Sequence, residues 1–500
     1  MKVILCFTLL FSLFGYSQSN DSASSKEIVQ MYCGACHVAP EPDNLTKDLW
    51  ERTILPAMGS FYGIQKEGFG LLKKRKPEEL EVIKSLNIYP ETQTISDETW
   101  QIIQDHYINN APERVPESKE RKSRTKNLKT FKRQDIDLMG LPESLITSMV
   151  FDDSKNRLWV GEDRMMAYSW TLKNGSANKT TTSSAVSHIE IKSDLIYLLE
   201  MGSLLPSELK KGSVSMVSNK EKKTLIDQLG RPVYMNVNDL NEDGTNEIVV
   251  CNFGNKSGGL EIYQQVDETF EKILIHQQAG AIKSLVHDMD KDGRKDLVVM
   301  FSQGDESIYI FYQKEDLKFE MEKVLRFNPL FGSNDFVLVD YEGDGDMDIV
   351  VAQGDNADTS VIPKPYHGIR IFINSNNKFE EGFFYPLFGV TKVIAHDFDE
   401  DGDIDLAATA FFQEYDIAPS EGFIYLENLE SDNFRFQSYS LKTSDPVKSY
   451  TLEKGDVDGD GDMDIIFGLF SWPITKVPAP LKTLWQTVPY DMTVLFNKLK

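Results

Sequence analysis

Two patterns of apolar positions divide the chain. Up to about residue 110 apolar residues recur at helical spacing, and from about Leu145 they come in short strand-like runs between acidic, glycine-containing loops. In the first part, Lys26–Cys36 reads as a helix and Asn44–Ala57 as a second, carrying Trp50, Ile54 and Leu55. Pro77 suits the first position of a third helix with Leu80, Ile83 and Leu86 on one face. Ser96 caps a fourth, Asp97–Asn109, where Trp100, Ile103 and Tyr107 share a face. In the second part each unit has an apolar run before its loop, such as Ser284–His287 or Phe336–Val339. Another follows it, such as Leu297–Met300 or Ile349–Ala352. Third strands are expected at Ile308–Tyr312, Ile369–Ile373 and Phe423–Glu427. Polar turns such as Asn374–Asn377 lead into fourth strands such as Lys378–Tyr385.

The loop is repeated five times. Its oxygen-bearing side chains are Asp239, Asn241, Asp243 and Glu247; Asp288, Asp290, Asp292 and Asp296; Asp340, Glu342, Asp344 and Asp348; Asp397, Asp399, Asp401 and Asp405; and Asp456, Asp458, Asp460 and Asp464. Oxygen ligands at positions 1, 3, 5 and 9, with glycine at 6 for a sharp turn, fit calcium, a hard cation that takes six to eight oxygens. The loop is not an EF-hand. Val250, Val299, Val351, Ala408 and Phe467 stand where a bidentate glutamate is required, so each loop joins two strands. Loop starts spaced 49, 52, 57 and 59 residues apart, with four strands per unit, predict propeller blades. These repeats resemble the FG-GAP/VCBS family of integrin-type β-propellers over roughly Leu145 to Lys500, which implies about five bound calcium ions. Ser148–Val160, with Asp152 and Asp153, and Val186–Leu199 read as two degenerate blades, making seven. Thr130–Leu138 is expected to supply the missing fourth strand of the last blade beside Thr493–Asn497, closing the ring and removing sheet edges.

The chemistry of the first part centres on Cys33-Gly34-Ala35-Cys36-His37. Two cysteines separated by two residues and followed by histidine read as a site for one covalent c-type haem. Each thiol adds across one vinyl group, and His37 is the proximal iron ligand. Met58 is the first candidate for the sixth ligand, with His106 or an open position as alternatives. A few helices around one such motif resemble a small monohaem cytochrome c, whose last helix packs on the first. The fold class read from the chain is therefore multidomain: a small all-α cytochrome c domain followed by an all-β seven-bladed propeller.

Met1–Gln18 has the make-up of a secretory signal, with Lys2 ahead of the apolar run Val3–Phe14 and Cys6 inside the discarded segment. The expected order is signal 1–18, cytochrome c domain 24–112, polar basic linker 113–129 and propeller 130–500. No later segment is apolar enough to cross a bilayer, which predicts export to the periplasm, the cell surface or the medium. Cys251 is a single cysteine in a strand-like run, so no disulfide framework is expected. The net charge of −25 argues against nucleic acid as a partner and places much of the acidity in the loops. No hydrolase or zinc-protease motif is present. His287 and His396 precede loop aspartates and read as strand-end residues, the alternative being a base or ligand facing the propeller's central channel. His188 reads as their counterpart in the second blade, and Pro363, Pro365 and His367 lie in a longer loop suited to a partner. The sequence is read as an exported electron carrier whose calcium-stabilised propeller docks a redox partner protein or a surface or glycan ligand. The alternatives are a haem-coupled oxidoreductase and an adhesion module with a redox- or gas-sensing haem.

Overall fold

The structure is a computed structural model that describes residues 24–64, 76–116, 126–141, 143–173, 175, 177–218, 221–357, 360–416, 418–442, 448–472, 477–487 and 490–499. The expected signal, 1–18, and most of the expected basic linker lie outside these residues.

The helical segment packs around Trp50, Trp100, Ile103 and Tyr107, with Val29, Leu45 and Leu55 completing the buried core. Its helix Asp97–Asn110 starts where Ser96 accepts from the Thr99 N–H, and helix Pro77–Ser85 opens on its proline. Two expected helices are corrected. The first spans Ser25–Tyr32 and stops before the cysteines. The chain crowds there: a Cβ on Gly34 would lie 2.4 Å from the Gln30 carbonyl oxygen. The second is broken into a 3-10 turn Pro42–Asn44, a short turn Lys47–Leu49, a π-helical stretch Trp50–Ile54 and the helix Leu55–Ser60. Pro56 has no N–H for the usual bond and its ring excludes the preceding α-carbonyl. The Leu55 N–H instead reaches back to the Trp50 carbonyl.

From residue 126 the chain forms seven antiparallel sheets around one axis. Blade 1 uses Ile146–Asp152, Arg157–Glu162, Met166–Trp170 and Ala177–Thr181. Blades 2 to 6 repeat this inner-to-outer order, with first strands Val186–Lys192, Pro232–Asn238, Ala281–His287, Ser333–Val339 and Val390–His396. Blade 7 combines Ser449–Gly455, Asp464–Leu469 and Met492–Phe496 with Lys132–Ile136 from the other end of the chain. Blade 6 gains a fifth, parallel strand, Lys126–Asn127, so the end of the expected linker is paired to Phe436–Ser440. The open edge of that blade offers unpaired backbone groups, which this strand satisfies.

Burial follows position in the blade. Second strands such as Asp296–Phe301 and Asp348–Gln353 are buried at every residue, because blades cover both faces. Outer strands such as Lys318–Arg326 are largely exposed. Apolar layers fill the gaps between blades. Phe336 is fully buried in the layer joining blades 4 and 5, where truncation to alanine costs roughly 3–5 kcal/mol. Helix Ala479–Thr487, inserted in blade 7 with Trp485 buried, was not foreseen from the sequence. Its signal was Pro480 followed by apolar residues at Leu481, Leu484 and Trp485.

The helical segment sits on the propeller face opposite the acidic loops. Leu330, Ile362 and Tyr366 of the propeller join the helical core. The Tyr366 hydroxyl donates to the Asn44 carbonyl at 2.9 Å, and the Asn328 amide donates to the Asn44 side chain at 2.7 Å. The Glu208 N–H donates to Glu79 at 3.2 Å. The longer blade-5 loop is thus a seat for the helices, with His367 buried and near the Leu330 carbonyl. No helix among the described residues is long and apolar enough to cross a membrane.

Candidate functional site

Cys33 and Cys36 follow the first helix as free thiols, the first half-buried and the second exposed. Burial pushes the Cys33 thiol up to about 11, and burial with both thiols nearby pushes the Tyr62 hydroxyl up to about 12. His37 Nδ1 lies 2.8 Å from the Val38 carbonyl oxygen. A carbonyl only accepts, so Nδ1 carries the proton and Nε2 keeps its lone pair for a metal. Met58 packs into the same apolar cluster as Cys33, with Tyr32, Tyr62 and Trp100 around them. His106 lies elsewhere: it bonds Ser25, the first residue of the helix whose other end leads to Cys33.

The acidic loops share one internal scaffold. The carboxylate at position 1 accepts the N–H groups of positions 5 and 6. Asp288, for example, accepts from Asp292 at 3.1 Å and Gly293 at 2.9 Å, and Asp397 from Asp401 at 3.1 Å and Gly402 at 3.0 Å. The glycines at position 6 have φ between +88° and +99°, a turn that a side chain strains. The carboxylate at position 9 opens the second strand and is buried in all five copies. Asp296 accepts from the Met289 and Gln313 N–H groups, and Asp464 from those of Val457 and Asn497. Glu247 keeps only the bond from Leu240, at 2.9 Å.

Three loops gather carboxylates closely enough for one cation. The trios are Asp288, Asp290 and Asp296; Asp397, Asp399 and Asp405; and Asp456, Asp458 and Asp460, with oxygens within 4.8 Å of one another. Burial first, then neighbouring acids, pushes Asp399 up to about 6 and Asp405 and Asp464 to about 7. Among the described residues, no such trio forms in the loops at Asp239 and Asp340. In the first of these the Asn241 amide donates to Asp243 and Asp316.

The axis holds residues that sequence reading missed. The third residue of each first strand forms a ring of Ser148, His188, Tyr234, Lys283, Asp335, Lys392 and Thr451. Lys283 pairs with Asp335 at 2.8 Å, and Lys392 stands 3.9 Å from the same carboxylate. His188 stacks on Tyr234 at 3.9 Å, and burial beside Lys283 and Lys392 drives its imidazole down to about 3. His188 is therefore not the counterpart of His287 and His396, which end their strands four register places later. The signal was present: Tyr234, Lys283, Asp335, Lys392 and Thr451 each precede the first aspartate of a loop by five residues.

A family model described as an FG-GAP-like repeat matches residues 288–351, from the acidic loop of blade 4 to the second strand of blade 5. Two solved structures are similar in fold at 11% identity. One is described as the crystal structure of RRP9 WD40 repeats, with a TM-score of 0.45, covering 73% of this chain and 100% of that chain. The other is described as the structure of U3-55K, with a TM-score of 0.39, covering 73% and 98%. No curated protein matches the sequence. The chain thus carries an FG-GAP-like repeat within a seven-bladed propeller, a scaffold suited to binding.

Proposed function

We propose that this protein is an exported electron carrier in which Cys33 and Cys36 hold one haem c, His37 binds its iron and Met58 completes the coordination. The propeller serves as a docking scaffold stabilised by calcium in its acidic loops. The observation that carries the reading is the bond from His37 Nδ1 to the Val38 carbonyl, 2.8 Å, beside two free thiols. It fixes the tautomer that presents Nε2 to a metal. When bound, a haem held by Cys33, Cys36 and His37 would supply an iron that exchanges single electrons, and a thioether ligand such as Met58 would raise its potential.

The chain's own residues shape that exchange. Trp50, Trp100 and Tyr62 supply a largely dry wall. Cys36 is exposed, which keeps one edge of the motif open to a redox partner. For the loops, the converging aspartates at Asp288, Asp397 and Asp456 support calcium, because three carboxylates this close repel without a cation.

The test is an optical spectrum of protein matured with a c-type haem assembly system, before and after reduction, together with Met58→Ala and a Cys33→Ala/Cys36→Ala double variant. The expected result is a low-spin spectrum that survives denaturing extraction of free haem. It becomes high-spin in the methionine variant, and no covalent haem remains in the double variant. Extractable haem in the wild type, or none at all, overturns the reading.

A further inference from the structure

A hollow of 590 Å³ lies between blades 1 and 2, the two blades that lack acidic loops. Its cause is visible in the register. On the face each blade turns to the next, one place on the third strand is Met216, Ile262, Ile310, Ile371, Tyr425 and Val494 in blades 2 to 7. Blade 1 has Ser169 there. The wall it meets is also short. Blade 2 offers Val217 where blades 1, 3, 4, 5, 6 and 7 carry Trp170, Tyr263, Phe311, Phe372, Leu426 and Leu495. Both small residues line the gap, and the apolar cluster around Trp159, Ile189 and Leu198 leaves it unfilled.

The lining is graded. Trp159, Ile196 and Val217 make an apolar floor, while Asn178 and Arg157 stand towards the rim; the Lys179 ammonium turns to the other face of blade 1, over the Tyr168 ring. Trp159 is 8% exposed, and its indole N–H has no hydrogen-bond partner. An unbonded buried donor of this kind is costly, and a ligand acceptor removes that cost. Asp152, also on the lining, has one carboxylate oxygen without a partner. Of the three cations that face it, Lys155 pairs with Asp194 at 2.6 Å and Lys222 with the buried Glu200 at 2.7 Å. Arg157 has no ion pair among the described residues. In a chain of net charge −25, Arg157 thus offers the hollow a positive charge with no ion-pair partner.

We infer that the hollow between blades 1 and 2 binds an acidic saccharide, one or two uronic-acid rings of a longer glycan. A pyranose has apolar C–H faces for the Trp159, Ile196 and Val217 floor. Its hydroxyls suit the Trp159 N–H, the Asp152 oxygen and the Asn178 amide, and its carboxylate suits Arg157. The volume lies within the roughly 300–1,000 Å³ of small-molecule sites. The inference does not depend on haem or calcium.

The test is calorimetric titration of the full chain with galacturonate oligomers of one to four units. Neutral galactose oligomers and tetraglutamate serve as comparisons. The expected result is saturable binding of the di- or trigalacturonate at one site, at least tenfold tighter than either comparison. Ser169→Ile and Val217→Phe, which give the two walls the bulk of the other blades, should each weaken it at least tenfold while leaving the melting temperature at or above wild type. Arg157→Gln, on the rim, should weaken it as well. If one filling variant fails to fold, the other and Arg157→Gln decide. No binding of any galacturonate, equal binding of tetraglutamate, or binding indifferent to these substitutions overturns the inference.

Discussion

Gln134 stands opposite Val494 in the antiparallel ladder that joins the two ends of the propeller. The ladder runs from Lys132 against Phe496 to Ile136 against Met492, and the Thr493 hydroxyl donates to Asp135 at 2.7 Å beside it. Without Lys132–Ile136 the strand Met492–Phe496 becomes an exposed apolar edge. A chain starting at Asp137 should therefore melt at least about 5 °C lower and self-associate, as read by calorimetry and light scattering. A chain starting at Lys126 retains both N-terminal strands and should keep the melting temperature of the propeller. Equal melting of the two truncations would show that closure contributes little.

The position-9 carboxylates separate two kinds of stabilisation. Asp464 holds the second strand of blade 7 to its loop and to Asn497 through two buried backbone N–H groups, each 2.9 Å away. Asp464→Ala leaves both donors unpaired and should cost about 2–4 kcal/mol in chelator, where no cation contributes. Asp460 is exposed, accepts from the Asp462 N–H at 3.2 Å and shares a side-chain hydrogen bond with Asp458. Asp460→Asn should leave stability in chelator near wild type and shrink the rise in melting temperature produced by calcium. Millimolar calcium should raise the wild-type melting temperature, since a ligand of the folded state stabilises it by mass action. Identical melting in calcium and chelator would remove calcium from the account.

Much of this architecture was legible because the loop motif is rigid in sequence as well as in space. Glycine at position 6 and acids at 1 and 9 mark the start of each second strand, and counting outward from them gives the blades. Closure was legible because the last blade lacked a strand and Lys132–Ile136 offered one. The helix ends were less so: Pro56 and Gly34 act through local backbone geometry that apolar spacing does not report. The axial ring and the hollow were hidden for another reason. Lys283 and Asp335 lie in different repeats, as do Ser169 and Val217. Only superposed blade registers bring each pair together.

Glu306 gives the fold a measurable pH dependence. It is buried between the second and third strands of blade 4 and accepts from the Ser333 N–H at 2.9 Å and the Ser333 hydroxyl at 2.7 Å. Burial outweighs these bonds and raises its carboxyl to about 7. The folded chain therefore holds this proton where the unfolded chain, near the ordinary 4.5, has released it. Its contribution is fully present below pH 4.5 and is lost as pH rises through about 7. Glutamine accepts the same two bonds and never ionises. Relative to wild type, Glu306→Gln should be neutral at pH 4 and more stable by roughly 1–3 kcal/mol at pH 8, measured by denaturant unfolding across that range. Other buried acids, Glu190 and Glu453 at the axis among them, titrate in both proteins and cancel in the difference. A pH-independent difference between the two curves would mean that Glu306 is already ionised in the folded chain, with the Ser333 donors sufficient to hold the charge.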